Sequence, residues 1–204
     1  MSEPRTTQEE YPLENLEKLA RLLHNVERVK RVARRPDEQE WTNTAEHTFE
    51  LAMMCWYIVT LHKLDLNMEK VFKYALAHDI VEVYAGDTPV FDDEALKTKH
   101  EREAAALERL EKEFPEFSDF TALIHEYEAR ETPEARFVYA TDKLLDPLNS
   151  SMETTQSIWR DVNMSLEKVA EVKRGKVTLH DVIALYWVKL LAKIEARKEF
   201  FFHS

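Results

Sequence analysis

The sequence predicts an all-α fold in a single domain, and three observations carry that expectation. Apolar residues recur at helical spacing over most of the chain, strand-like alternation is hard to find, and capping residues such as Asn43, Asn67 and Thr132 bracket the periodic stretches. At 204 residues the chain is long enough for one domain with a full core. Residues 1–10 are polar and aperiodic, so they read as a disordered tail, leaving 11–204 as the domain.

A first helix is expected over Leu13 to Ala33, with Leu16, Leu19, Leu23, Val26 and Val29 along one face. It ends in a basic run, Arg28, Lys30, Arg31, Arg34 and Arg35, halted by Pro36. A cationic helix end complements the dipole, which is the plain reading of that run. Asn43 then serves as an N-cap, and Glu46 completes a capping box for a second helix reaching His62. His47 lies in its first turn, on the face of Leu51, Met54, Cys55 and Ile58, and taken alone reads as a core histidine.

Asn67 caps a third helix that runs to Gly86 and is apolar nearly all the way round, which places it in the middle of the protein. It nevertheless carries His78, Asp79 and Glu82, with Asp87 just beyond its end. Burying carboxylates costs roughly several kcal/mol unless something pairs with them, and a divalent cation would do so. Gly86 suits the left-handed residue that ends a helix, and so sets the aim of Asp87.

Residues 92–113 form a highly charged helix on whose solvated face Lys97, Lys99, His100 and Arg102 are expected. A short helix from Ser118 to Arg130 carries His125. Thr132 and Pro133, as cap and first residue, open a helix whose apolar stripe includes Asp142 and which Pro147 is expected to kink. A loop through Trp159 and Arg160, a short helix from Ser165 and a last helix from Thr178 complete the domain. The terminal Phe200-Phe201-Phe202 needs burial, on the core or in a dimer contact.

Composition narrows the function. Lys and Arg total 28 against 39 Asp and Glu, a net charge of −11, which argues against nucleic acid and anionic membranes as partners. A small anion held by a few local cations remains open. Two glycines, Gly86 and Gly175, are too few for the glycine-rich loops that cradle phosphates. The lone Cys55 permits no internal disulfide and points to a reducing compartment. With no apolar stretch of bilayer-spanning length and no leader pattern, a cytoplasmic protein is expected.

His47, the pair His78-Asp79 and Asp142 thus fall on the inner sides of three different expected helices. Imidazole with carboxylate suits Mn²⁺, Fe²⁺, Co²⁺ or Zn²⁺ better than Ca²⁺, with Mg²⁺ as a further candidate. This order, His…His-Asp…Asp, resembles the HD-domain metal-dependent phosphohydrolases. Ala45-Glu46-His47, Ala77-His78-Asp79-Ile80-Val81-Glu82, Ala85-Gly86-Asp87-Thr88 and Glu128-Ala129-Arg130-Glu131-Thr132-Pro133-Glu134-Ala135-Arg136-Phe137 are similar to the 5′-deoxynucleotidase-like branch.

The resemblance implies an HD-domain helical bundle with one divalent metal ion held by His47, His78, Asp79 and Asp142. It implies Glu82 and Asp87 as the catalytic carboxylates. Asp87 would activate the attacking water, and Glu82 would position that water or protonate the leaving group. The substrate implied is a (deoxy)nucleoside 5′-monophosphate, and the assembly a homodimer. Lys30-Arg31-Val32-Ala33-Arg34 resembles the segment that places a substrate-contacting arginine, which favours Arg34 first and Arg31 second. Arg35 stands where the bacterial pattern has tryptophan, a departure that bears on the deoxy sugar. Lys99-His100 is similar to a Lys-His pair of eukaryotic members.

Two other classes compete. Some HD proteins are di-iron oxygenases with two added histidines, and His100 and His125 fall in the right interval. A non-catalytic nucleotide-sensing module would keep the metal for stability, but would have no need of Glu82 and Asp87.

Overall fold

The computed structural model describes residues 12–154 and 158–197. The expected tail over residues 1–10 and the Phe200-Phe201-Phe202 cluster lie outside the described residues. The chain is helical as expected, with one small departure near its start.

Helix α1 (Leu13–Val26) stops at Val26 instead of continuing to Ala33. The basic run that follows is a strand, β1 (Lys30–Arg34), paired antiparallel with β2 (Trp41–Asn43). Lys30 faces Asn43 and Arg34 faces Trp41, with an irregular register between them. Among the described residues this hairpin is the only sheet. The backbone leaves the helix because Val29 and Ala33 find partners across the hairpin: Thr44 N–H donates to Val29 O at 3.0 Å and the Thr42 hydroxyl to Ala33 O at 3.2 Å. The basic run therefore does not serve as a helix terminus; the strand carries Arg31 inward.

Helix α2 (Thr44–His62) begins and ends where its signals place it. The capping box is closed, with Asn43 Oδ1 accepting from Glu46 N–H at 3.0 Å and Glu46 accepting from Asn43 N–H at 3.1 Å. The expected long third helix is instead two pieces, α3 (Met68–Ala77) and the single turn α4 (Glu82–Ala85). Between them the bonding tightens: Ile80 N–H donates to Ala77 O, Glu82 N–H to Asp79 O and Val83 N–H to Ile80 O. His78 keeps the helical bond from its N–H to Tyr74 O, and the three-residue steps that follow tighten the chain around Asp79. Asn67 caps α3 through its side chain as expected.

Helix α5 (Asp93–Glu113) is capped by Asp92, and a 3₁₀ turn at Pro115–Phe117 leads into α6 (Ser118–Ala129). Helix α7 (Pro133–Ser150) starts from the Thr132 cap and runs on through Pro147 to its last turn. A short turn, α8 (Ile158–Asp161), occupies the expected Trp159 loop, followed by α9 (Leu166–Val177) and α10 (Asp181–Glu195).

Helix α7 is the central element. It packs against α2, α3, α6, α9 and α10, and its Phe137, Val138, Ala140, Thr141 and Leu145 are fully buried. No helix of the described residues is long and apolar enough to cross a membrane.

Candidate metal centre

Three helices deliver the expected ligands to one point. The capping box fixes the first turn of α2 and with it His47; the break after α3 presents His78 and Asp79; and α7 supplies Asp142 from its buried face. His47 Nε2 lies 3.0 Å from Asp142 Oδ1 and 3.8 Å from Asp79 Oδ2, and His78 Nε2 lies 2.9 Å from Asp79 Oδ2. The two imidazole centroids are 5.3 Å apart. His47, His78 and Asp142 are buried to 5% exposure or less.

The donor set fits a divalent ion. His78 Nδ1 donates to Ala75 O at 2.9 Å, which leaves the Nε2 lone pair for a ligand. Buried His78 Nε2 and Asp142 Oδ2 have no aligned hydrogen-bond partner, although each lies close to a charged neighbour. Unsatisfied buried atoms of this kind call for a partner. Among the described residues, His47, His78 and Asp79 bring ligand atoms within 4.8 Å of one another.

Electrostatics keeps the carboxylates ionised. Burial would raise the Asp79 pKa, but His78 and Arg31 hold it far below the usual carboxylate range. Burial is likewise outweighed at Asp142, where Lys143 and His47 hold the pKa well down. Glu82 behaves oppositely: burial, then the charges of Asp79 and Asp87, push its pKa well up, against Arg31 and a hydrogen bond from Thr44. The Thr44 hydroxyl donates to Glu82 Oε2 at 2.9 Å.

Asp87 is reached through Gly86, whose φ of 74° and ψ of 152° belong to a region open essentially to glycine alone. The expected left-handed helix stop is thus an extended mirror-side conformation instead. Asp87 Oδ2 accepts a long bond, 3.4 Å, from Val32 N–H of β1. Arg102, expected on the solvated face of α5, is in fact half-buried and clamps this turn. It donates to Ala85 O on one side of Gly86-Asp87 and to the Thr88 hydroxyl at 2.8 Å on the other.

The two arginines part company. Arg31 Nη1 donates to Asp79 Oδ2 at 2.7 Å and lies 3.8 Å from Glu82 Oε2, so it belongs to the centre itself. Arg34 pairs with Asp161 at 2.7 Å and lies over the Trp41 ring, lining an adjoining cleft with Phe91, Ile158, Trp159 and Met164. His100 and His125 lie apart from the ligand cluster; both are exposed, and His125 bonds Glu111 at 3.0 Å.

Sequence reasoning missed Lys143, Asp146 and Lys173. Lys143 Nζ lies 2.6 Å from Asp142 Oδ2, and Lys173 Nζ lies 3.3 Å from Asp146 Oδ2. One signal was available: Asp146 is four residues beyond Asp142 on α7 and shares its face. Around the cleft, Arg31, Lys99, Lys143 and Lys173 face Asp79, Glu82, Asp87 and Asp146.

A helical bundle with His and His-Asp and Asp converging from separate helices defines a metal-binding HD-type domain. The HD-domain family pattern matches residues 23–182, and the chain belongs to that family. Over 128 residues it is 30% identical to the Xenopus laevis protein named 5′-deoxynucleotidase HDDC2, covering 62% of this chain and 61% of that one. The Bos taurus protein of the same name is 31% identical over 134 residues, 63% of each chain. The chain therefore matches less than two thirds of the length of these relatives. A crystal structure from Magnetospirillum magnetotacticum, described as a predicted metal-dependent phosphohydrolase, superposes with a TM-score of 0.78 at 27% identity, covering 93% of this chain and 97% of that one.

Proposed function

We propose that the chain is a divalent-metal-dependent phosphomonoesterase releasing phosphate from (deoxy)nucleoside 5′-monophosphates, working in the cytoplasm as a homodimer. The observation that carries this reading is the convergence of His47, His78, Asp79 and Asp142 with two further carboxylates, Glu82 and Asp87, on the same cleft. A structural metal site has no use for the last two. The names of the related proteins support the same activity.

A divalent ion held by His47, His78, Asp79 and Asp142 would supply a Lewis acid for a phosphoryl oxygen and would lower the pKa of a bound water. Arg31, Lys99, Lys143 and Lys173 line the cleft with Asp79, Asp87, Asp146 and Glu82, the last pushed toward its protonated form, and a bound ion would add further positive charge, which suits a phosphate dianion in a chain of net charge −11. Asp87, whose carboxylate accepts only the long bond from Val32 among the described residues, would take a proton from the attacking water. Glu82, with its pKa pushed up, keeps a proton for the departing ester oxygen, while Thr44 fixes its orientation. An added divalent charge draws that pKa down, so the working value is set by burial and ion together. Arg31 braces Asp79 and offers charge to the phosphoryl group.

The nucleoside is assigned to the adjoining apolar cleft, which shares Val32, Val90, Phe91 and Lys173 with the metal cleft and brings Arg34 to the substrate. Among the described residues His100 and His125 are exposed and outside the ligand cluster, which disfavours the di-iron reading, and Glu82 with Asp87 disfavours a purely sensing role.

The test is phosphate release from a nucleotide panel with Mn²⁺ or Co²⁺, before and after chelation, alongside Glu82→Gln. Release is expected to stop on chelation, and the variant to keep its metal while losing about a hundredfold or more in rate. No release from any nucleotide, with metal shown by elemental analysis to be bound, overturns the reading.

A further inference from the structure

The cleft is lined by lysines that a single phosphoryl group does not account for. Lys143 follows Asp142 on α7, Lys99 comes from α5, and Lys173 and Lys176 sit one turn apart on α9. Lys99, Lys143 and Lys173 line the cleft that holds Asp79 and Glu82. Lys176 lies within electrostatic reach of all three.

The acids nearby compensate these lysines incompletely. Lys143 meets Asp142, Lys173 meets Asp146 at 3.3 Å, and Lys99 meets Glu103 at 3.4 Å. Asp142 is committed to the metal centre, and Lys176 has no ion pair with any described residue. Lys173 is only 4% exposed, and burial together with Lys143 pulls its pKa down despite Asp146. Ammonium groups gathered in a partly dry cleft repel one another and lose hydration. The chain has an excess of acidic residues, yet none of the described ones forms an ion pair with Lys176. An anion seated among the lysines offsets both costs, and compact ammonium groups on flexible stems suit phosphate oxygens without demanding one orientation.

We propose that Lys99, Lys143, Lys173 and Lys176 form a second phosphoryl subsite beside the metal centre, for ligands carrying two phosphoryl groups. One group sits at the metal and the other on the lysines. The first half rests on the phosphohydrolase reading; the second extends its substrate class to nucleotides bearing a further phosphoryl group.

The experiment is calorimetric binding of inorganic pyrophosphate and of orthophosphate to the full chain, with Mn²⁺ in excess. Wild type, Lys176→Gln and Lys99→Gln are compared, each checked for folding by circular dichroism. Pyrophosphate is expected to bind at least about tenfold more tightly than orthophosphate, and Lys176→Gln to remove most of that preference. Equal affinities, or a preference that neither substitution reduces, overturns the subsite. Because binding is read without turnover, a lysine-dependent preference in a protein that hydrolyses no nucleotide leaves the subsite standing and removes the phosphohydrolase reading. Nucleotide hydrolysis without the preference does the reverse.

Discussion

At Lys176, burial and then the ammonium groups of Lys143, Lys173 and Lys99 push the pKa down from 10.5 to about 8. The unfolded chain titrates this lysine at its ordinary value, so between about pH 8 and 10.5 the unfolded state binds more protons and stability rises with pH. Below about pH 8 both states are charged and the folded protein bears the whole repulsion. Lys176→Gln is therefore expected to raise the melting temperature at pH 7, with the gain fading as pH climbs toward the unfolded value. Thermal unfolding of both proteins at neutral and alkaline pH measures this; equal melting temperatures at pH 7 would contradict it. A residue kept against its own stability is the pattern that functional sites show. Such residues are poorly legible in sequence. Lys143, Lys173 and Lys176 each look like solvated helix positions until α5, α7 and α9 are assembled. His47 was legible only together with His78, Asp79 and Asp142, because a single histidine on an apolar face has a sufficient explanation in packing.

Local chemistry wrote some elements plainly. The Asn43/Glu46 box, the Asn67 cap and the Thr132-Pro133 start are satisfied by residues two or three apart, and α2, α3 and α7 begin where those signals stand. The break after Ala77 was hidden, because the apolar run continues unbroken through it and periodicity alone favours one long helix. The β1–β2 hairpin was hidden for a related reason: the pattern from Leu16 to Val29 extends the helix, whereas the partners of β1 are Trp41–Asn43 and the carboxylates that receive Arg31. Gly86 was noticed, but its backbone geometry depends on the Arg102 clamp, which sequence does not show. An alanine there meets no atom within 4 Å, so the penalty is backbone strain alone. Gly86→Ala is expected to lower unfolding free energy by about 1–3 kcal/mol in urea titrations. It should also reduce kcat, because Asp87 is the next residue. Unchanged stability together with unchanged kcat would show that the turn tolerates a side chain and that its geometry does not aim Asp87.

For the molecule as a whole, the cluster of His47, His78, Asp79 and Asp142 joins α2, the end of α3 and α7 at one side of α2, and the other side of that helix asks for a partner. Leu51, Cys55 and Ile58 are buried inward, while Phe49, Met53, Trp56, Tyr57 and Leu61 face outward, with Phe49 68% and Trp56 52% exposed. Trp56 packs edge-on against Phe72 of α3, and His62 bonds the Tyr186 hydroxyl at 2.7 Å, bringing α10 with its exposed Leu185 and Val188 alongside. The result is a face rich in exposed apolar side chains, drawn mainly from α2 and α10, on a chain that is one-third charged. Net charge of −11 repels copies of the chain, so a face rich in apolar side chains is where two of them approach at low electrostatic cost. A two-fold contact sets the same patch against itself, which suits a stripe of apolar side chains. Trp56→Glu is expected to convert a dimer into a monomer in sedimentation equilibrium while leaving the helical circular dichroism spectrum intact. It also separates assembly from chemistry, since the inward side chains of α2, His47 among them, are untouched by the change. A wild-type protein that sediments as a monomer, or a variant that stays dimeric, would remove this face as the interface.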